Sequence, residues 1–222
     1  MDLNLELLNA IDSFVWGPPL LVLLVGTGIL LTLRLKLLQV FQLPKALGLI
    51  FKAQNRGSGD IDSFKALCTA LSATVGTGNI VGVATAIAAG GPGAIFWMWM
   101  AAFFGMATKY AEGLLAVKYR EVDSKGEIAG GPMFYIKNGM GPKFKWLGSL
   151  FAIFGVLVAY FGIGTFAQVN SIVDITKMTI GLDPMWTALI LTILVAAITL
   201  GGLQSIASAA AKIVPAMAVI YF

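Results

Sequence analysis

Residues 71–82, with the sequence LSATVGTGNIVG, combine glycines and small polar residues within an otherwise apolar segment. Ser72, Thr74 and Asn79 supply side-chain oxygen atoms, and two glycines flank a single threonine. Glycine lowers helix stability by roughly 1 kcal/mol relative to alanine, so a helix through this stretch is weakest at that turn. An opened turn at membrane depth frees backbone groups, which are tolerated there only inside protein or beside a polar cavity. The pattern therefore favours a broken helix with a binding site at its centre.

An open turn between Val75 and Asn79 would present two helix ends of opposite polarity. The first half-helix would point free carbonyl groups, from Ser72 to Val75, at the break, and the second would point free amides there. Each end carries a partial charge of about half an elementary charge, with opposite signs. An amino acid fits this arrangement, with its carboxylate on the amides of Thr77 to Asn79 and its ammonium group near the carbonyls.

The same break offers hard oxygen ligands to a cation. These are the freed carbonyls, the hydroxyls of Ser72 and Thr74, and the side-chain oxygen of Asn79. Oxygen ligands of this kind suit a metal cation such as sodium. Because one break would hold both the solute and the ion, their binding would be coupled.

The glycines also allow a different interpretation. Gly78 and Gly82 have the Gly-x-x-x-Gly spacing, which most often indicates close packing of membrane helices. On composition alone, this packing face and the broken-helix site explain the stretch equally well. A nucleotide-binding glycine loop is excluded, because the spacing from Gly76 to Gly82 is one residue too long and no strand precedes it.

Composition indicates that the stretch belongs to an integral membrane protein. Hydrophobic residues make up 58% of the 222 residues, and only 12% are charged. The sequence has no histidine and a single cysteine, Cys68, which excludes histidine catalysis and an intrachain disulfide. The basic residues behind the net charge of +4 lie between apolar spans, so they indicate membrane orientation and no nucleic-acid partner.

The apolar segments predict an all-α, polytopic bundle of transmembrane helices forming one membrane domain. The predicted helices cover residues 14–33, 64–89, 94–117, 146–174, 185–200 and 204–222. Basic residues after the first and third helices, beginning with Arg34 and Lys118, place those connections in the cytoplasm and the N-terminus outside. Residues 35–52 alternate apolar and basic character, which predicts an amphipathic helix at the interface, and residues 54–60 predict a loop.

Lys109 and Glu112 lie three residues apart within the third predicted helix. This spacing allows them to pair on one helix face. A structural ion pair buried against the bundle is favoured over a transport role, although intramembrane charges are functional candidates by default.

Residues 90–105, GGPGAIFWMWMAAFFG, resemble the signature of the alanine/glycine:cation symporter family, also called the sodium:alanine symporters. Residues 77–80, TGNI, and 130–133, GGPM, are also similar to stretches typical of that family. The resemblance implies a leucine-transporter-like fold of two inverted five-helix repeats, with one additional N-terminal helix and about twice this length. It implies that this chain holds the additional helix and the first repeat. The second repeat, with its own ligands, is expected to be absent, and the final apolar run stops at Phe222 without a cap or a loop.

The resemblance also implies roles for single residues. The run Val75 to Asn79 resembles the unwound segment that holds substrate and sodium in bacterial leucine transporters. It implies carboxylate contacts from the amides of Thr77 and Gly78, and a polar contact from the side chain of Asn79. The implied sodium ligands are Ser72, Thr74, Val75 and Asn79. The candidate substrate-binding residues are Thr74, Gly76, Thr77, Gly78, Asn79, Gln168 and Thr165.

Gln168 is the side chain expected to close the pocket, and Thr165 is a second candidate. The costly burial of an amide in lipid supports a partner for Gln168. A neighbouring helix away from the substrate would satisfy Gln168 equally well.

Together these observations predict a secondary active transporter that imports alanine or glycine with sodium by alternating access. We expect a monomer in the cell membrane, with an amino acid, sodium and lipid as partners and no organic cofactor. Protons in place of sodium remain an open alternative. Transport makes no covalent bond, so an enzyme is not expected, and the sequence offers no close intramembrane pair of carboxylates for acid–base chemistry. The other alternative is a membrane subunit of an ATP-driven amino-acid importer, which would need a cytoplasmic loop that docks an ATPase.

Overall fold

The computed structural model of the chain describes residues 2–51, 61–122, 124, 126, 128–161 and 163–221. These residues are almost wholly helical, in keeping with the predicted all-α membrane bundle. The helices are, in chain order, α1 Asp2–Val15, α2 Pro18–Arg34, α3 Leu38–Phe41, α4 Leu43–Phe51, α5 Ser63–Thr74, α6 Val83–Gly90, α7 Gly93–Lys118, α8 Pro132–Gly139, α9 Lys145–Phe161, α10 Ile163–Ile180, α11 Pro184–Thr199 and α12 Gly202–Tyr221. A π-helical turn, Gly78–Gly82, precedes α6, and a 3₁₀ turn, Pro142–Phe144, precedes α9.

The N-terminal region holds one more helix than the sequence predicted. The predicted span 14–33 corresponds to α2, which starts at Pro18, a residue suited to the first helical turn. Helix α1 precedes it, because Leu8, Ile11 and Val15 recur at helical spacing despite the acidic residues between them.

The connection after α2 contains two short helices where a single amphipathic helix over 35–52 was predicted. Lys36 and Leu37 both adopt left-handed backbone conformations, with φ values of 53° and 55°, and this ends α2 sharply. Helices α3 and α4 follow, separated by Gln42. The predicted end of the amphipathic helix at Lys52 and the predicted loop 54–60 lie outside the described residues.

The predicted helix 64–89 is bent by 59° between its two parts, Ser63–Thr74 and Gly78–Gly90. Asp62 caps the start of α5 by accepting a hydrogen bond from the Lys65 amide at 2.8 Å. Gly91, with φ of 68°, ends α6 before the turn into α7. The bend coincides with the glycine-rich stretch in which the sequence predicted a break.

Within the described part of the chain, three helical stretches are long and apolar enough to cross a membrane, namely Leu5–Arg34, Pro142–Ile180 and Gly202–Tyr221. The bent pair α5 and α6 counts as a fourth if it forms one span. Helix α7, with 26 residues, is not among these apolar stretches, and α11 has only 16 residues. The predicted span 146–174 is represented by α9 and α10, and α10 continues to Ile180.

Small residues bring the helices into contact. Cys68 of α5 is buried against Ala210 and Val214 of α12. Gly28 of α2 lies against Phe104 of α7, since a Cβ atom at Gly28 would come within 2.8 Å of the Phe104 Cβ. The described chain has only a thin core of such residues, and most of its large apolar side chains are exposed. In a membrane such surfaces face lipid or further protein.

The loop after α7 contains a small hairpin that the sequence analysis did not predict. Its strands, β1 Glu121–Val122 and β2 Ile128–Ala129, pair antiparallel. Glu121 accepts hydrogen bonds from Lys137 and Asn138 of α8, each at 2.9 Å, and these bonds lower the pKa of Glu121 below its ordinary value. The hairpin thereby ties the end of α7 to α8.

Candidate functional site

The break lies between the last residue of α5, Thr74, and the π-helical turn that begins at Gly78. Val75 leaves the helix with an extended backbone, φ −86° and ψ 117°, although its amide still bonds to the Leu71 carbonyl at 2.8 Å. Thr77 is already helical, with φ −59° and ψ −28°. Only Val75 and Gly76 therefore depart from helical geometry, and they turn the chain between the two half-helices.

Gly76 and Asn79 hold the break through two reciprocal hydrogen bonds. The Gly76 amide donates to the Asn79 side-chain oxygen, and the Asn79 amide donates to the Gly76 carbonyl, both at 3.0 Å. The predicted role of the Asn79 amide needs correction, because that amide is not free for a carboxylate. The Asn79 side-chain oxygen, predicted as a sodium ligand, accepts one hydrogen bond and keeps a second lone pair.

The carbonyl end of the break is formed by the last turn of α5. In a continuous helix the Gly76 amide would donate to the Ser72 carbonyl, but here it donates to Asn79. The Ser72 and Thr74 hydroxyls donate to the carbonyls of Thr69 and Ala70, at 2.7 and 2.8 Å. Each hydroxyl oxygen keeps lone pairs for a cation.

The amide end of the break is formed by Thr77 and Gly78. Neither amide makes a hydrogen bond to any residue that the structure describes. Both precede the body of the second half-helix, where free amides and the helix dipole favour a negative group. These are the two amides that the sequence resemblance assigns to the substrate carboxylate.

Gln168 of α10 reaches the break from another part of the bundle. A Cβ atom at Gly76 would lie only 2.9 Å from the Gln168 side-chain nitrogen, so the amide of Gln168 packs directly on Gly76. Thr165 lies one turn earlier on α10 and is exposed, with no hydrogen bond to the break. The structure therefore brings Gln168 together with the glycine-rich stretch and does not do so for Thr165.

Tyr221, at the end of α12, is a contact that the sequence analysis missed. Its hydroxyl donates to the Asn79 carbonyl at 3.3 Å. Because Cys68 packs on Ala210 and Val214, the helices α5 and α12 run side by side in the same direction, which carries Tyr221 to the level of Asn79. No local signal marks this contact, since 142 residues separate the two partners.

The π-helical turn was also missed, although π-helical turns are frequent at functional sites. Ile80 of this turn faces a groove of ≈ 760 Å³ that Lys212 and Tyr221 of α12 also line. The groove places a charged side chain, Lys212, beside the break.

The packing interpretation of Gly78 and Gly82 finds no partner helix within the described chain. A Cβ atom at either glycine would meet nothing within 4 Å. Close packing of this face on another described helix is therefore absent.

The predicted ion pair between Lys109 and Glu112 forms, with 2.9 Å between the Lys109 nitrogen and a Glu112 oxygen. Its predicted burial is wrong for the described chain, because the Lys109 side chain is 80% exposed. Both residues line a cleft between α7 and α2, in which Leu21, Leu24 and Val25 supply the α2 side.

The fold and the break define a helical membrane protein. One of its apolar helices is interrupted, and the ends of the two half-helices face each other at the interruption. The chain matches the model of the sodium:alanine symporter family over residues 1–222, and it belongs to that family.

Known relatives cover almost the whole chain. It is 61% identical over 216 residues to an uncharacterized transporter of Haemophilus influenzae, covering 97% of this chain and 47% of that protein. It is 57% identical over 220 residues to the sodium/alanine symporter AgcS of Methanococcus maripaludis, covering 97% of this chain and 48% of that protein. The uncharacterized transporter YflA of Bacillus subtilis is 38% identical over 226 residues, covering 100% and 47% of the two chains. The chain thus spans about half the length of the curated relatives it matches.

Proposed function

We propose that the full-length protein is a secondary active transporter that carries a small neutral amino acid, alanine or glycine, together with sodium. The observation that carries the proposal is the break at Val75 and Gly76, where two half-helix ends of opposite polarity meet beside Gln168. Family membership and a relative named as a sodium/alanine symporter support the same solute and ion.

The substrate carboxylate would bind the unpaired amides of Thr77 and Gly78, at the positive end of the second half-helix. Its ammonium group would face the freed backbone carbonyls at the end of α5 and leave the hydroxyls of Ser72 and Thr74 to the ion. Gln168 would donate or accept a further hydrogen bond from the opposite side of the pocket. Gly76 leaves room for that amide because it has no side chain.

Sodium would bind neutral oxygens at the carbonyl end, supplied by Ser72, Thr74 and Val75. Residues 71–82 contain no carboxylate, so the ion's charge would be balanced in part by the nearby substrate carboxylate. This shared balance is the physical basis for coupling, because each ligand would then raise the affinity for the other. Asn79 would contribute by holding the break open, and its side-chain oxygen would offer sodium the lone pair that the Gly76 amide does not use.

Alternating access would follow from movement around the bend in the second span. The inverted-repeat fold implied by the family resemblance would supply the facing wall from the second half of the full-length protein. We propose a monomer in the cell membrane, with the N-terminus outside and the basic connection after α2 inside.

Neither a subunit of an ATP-driven importer nor a membrane enzyme finds support in the family or its relatives, which are symporters and other transporters. Transport into liposomes separates the mechanisms. Radiolabelled alanine should accumulate when the full-length protein faces an inward sodium gradient, without ATP. A pH gradient alone should drive little uptake. Uptake that depends on ATP, or on protons in the absence of sodium, would overturn the proposal.

Tyr221→Phe should weaken alanine binding by roughly fivefold, the effect of losing about 1 kcal/mol from one hydrogen bond. The loss is expected because the Tyr221 hydroxyl holds the Asn79 carbonyl and so fixes the start of the second half-helix. Equilibrium binding to the purified full-length protein measures it. Tyr160→Phe is the matched control, since Tyr160 is 84% exposed and its hydroxyl bonds to no residue that the structure describes. Equal affinities of both variants and the wild type would exclude this role for Tyr221.

A further inference from the structure

A pocket of ≈ 440 Å³ lies outside the break, where helices α3 and α4 meet the inner part of α7. Its polar lining consists of Gln39, Gln42, Lys45 and Tyr110, and its other six lining residues are apolar. The volume falls within the range of about 300–1,000 Å³ typical of sites for small molecules. We name it the α4 pocket.

The polar side chains of the α4 pocket lack partners. Gln42, Lys45 and Tyr110 form no side-chain hydrogen bond or ion pair with any described residue. Gln39 donates from its amide nitrogen to the Thr32 hydroxyl at 3.0 Å, but its buried amide oxygen has no partner. A mixed lining of apolar residues and unpaired polar groups is suited to an amphipathic ligand.

The charged residues in and around the α4 pocket are all basic. Among the described residues of the lining, Lys45 is the single ionised one, and none is a carboxylate. The sequence has no acidic residue between Asp12 and Asp60, whereas Arg34 and Lys36 lie just before α3. An anionic group therefore meets a cation, amide groups and a phenol hydroxyl without any opposing charge.

The position of the α4 pocket indicates which kind of anionic ligand it binds. It follows directly on the apolar stretch Leu5–Arg34, so it lies where a membrane span ends and lipid headgroups begin. Basic pockets between helices on the cytoplasmic side of a membrane bind anionic headgroups. We infer that the α4 pocket binds an anionic phospholipid of the inner leaflet, with the phosphate at Lys45, Gln42 and Tyr110 and the acyl chain along the apolar lining.

Lipid selectivity of the purified full-length protein in detergent micelles tests this inference. Spin-labelled phosphatidylglycerol and phosphatidylcholine serve as probes, and thermal unfolding checks that each variant is folded. The wild type should bind phosphatidylglycerol in preference. Lys45→Gln should lower that affinity roughly fivefold, as expected for one basic residue near an anionic group, and leave phosphatidylcholine unchanged. Lys45→Arg should restore most of the preference.

Lys143→Gln is the matched control, because Lys143 lies in the 3₁₀ turn before α9 and does not line the α4 pocket. It should bind both lipids like the wild type. Equal binding of the two lipids by the wild type, or equal losses in Lys45→Gln and Lys143→Gln, would overturn the inference. Full displacement of the lipid by inorganic phosphate would instead identify a site for the free anion. Lack of binding of either lipid to the full-length wild type would also overturn the inference.

Discussion

Asn79→Ala should weaken alanine binding to the full-length protein by roughly 10- to 100-fold. Hydrogen bonds to charged groups contribute about 1.5–3 kcal/mol, and each 1.4 kcal/mol corresponds to a factor of ten. The substitution removes the side-chain oxygen that holds the Gly76 amide at 3.0 Å, and it also removes a polar contact proposed for the ligands. The Gly76 amide would then be free to rejoin the Ser72 carbonyl, which would straighten the break. Calorimetric titration of alanine in saturating sodium measures the loss.

Asn170→Ala provides the control for this result. Asn170 carries the same amide group on α10, but it donates to the Asp174 carboxylate at 3.0 Å. Its affinity for alanine should match the wild type, and thermal unfolding should show that both variants are folded. If Asn79→Ala bound alanine as tightly as Asn170→Ala, the assignment of the break as the binding site would be wrong.

Gly76→Val should reduce alanine binding by roughly 10- to 100-fold while leaving the fold intact. A Cβ atom at this position lies 2.9 Å from the Gln168 side-chain nitrogen, so the valine must displace that amide. Overpacking of this kind costs about 1–3 kcal/mol, and the displaced Gln168 would also lose its proposed contact with the substrate. Gly82→Val is the matched control, because a Cβ atom there meets nothing within 4 Å.

A double-mutant cycle tests whether displacement of Gln168 causes the loss of alanine binding in Gly76→Val. Gln168→Ala alone should weaken binding, and it should add little further loss in the Gly76→Val background, because residues in contact are not additive. Fully additive losses would show that Gly76 and Gln168 act separately. Equal effects of Gly76→Val and Gly82→Val would show that the crowding at Gly76 is irrelevant to binding.

The break could be predicted from sequence because it depends on local backbone preference. Glycines on either side of Thr77 weaken one turn of an apolar helix, and the chain bends by 59° at that turn. Apolar length also indicated the helical stretches that contain residues 14–33, 146–174 and 204–221. Helix α1 was missed because its acidic residues obscured the helical spacing of Leu8, Ile11 and Val15.

Contacts between distant segments could not be predicted in the same way. The Tyr221 hydroxyl reaches the Asn79 carbonyl only because α5 and α12 pack side by side, and 142 residues separate the partners. The engagement of the Asn79 side chain by Gly76 depends on backbone angles within a short turn, which composition does not specify. The sequence left open whether Gln168 closes the substrate pocket or is satisfied by a neighbouring helix, and its packing on Gly76 became visible only in the fold.

The central claim is that one break binds an amino acid and sodium together, and reciprocal calorimetric titration of the full-length protein tests it most directly. Alanine is titrated with and without sodium, and sodium is titrated with and without alanine. Linkage requires each ligand to raise the affinity for the other by the same factor. We predict a shared factor of roughly 5- to 150-fold, the usual range for coupled sites, which Asn79→Ala should abolish. Identical alanine affinities in sodium and in choline would contradict the account.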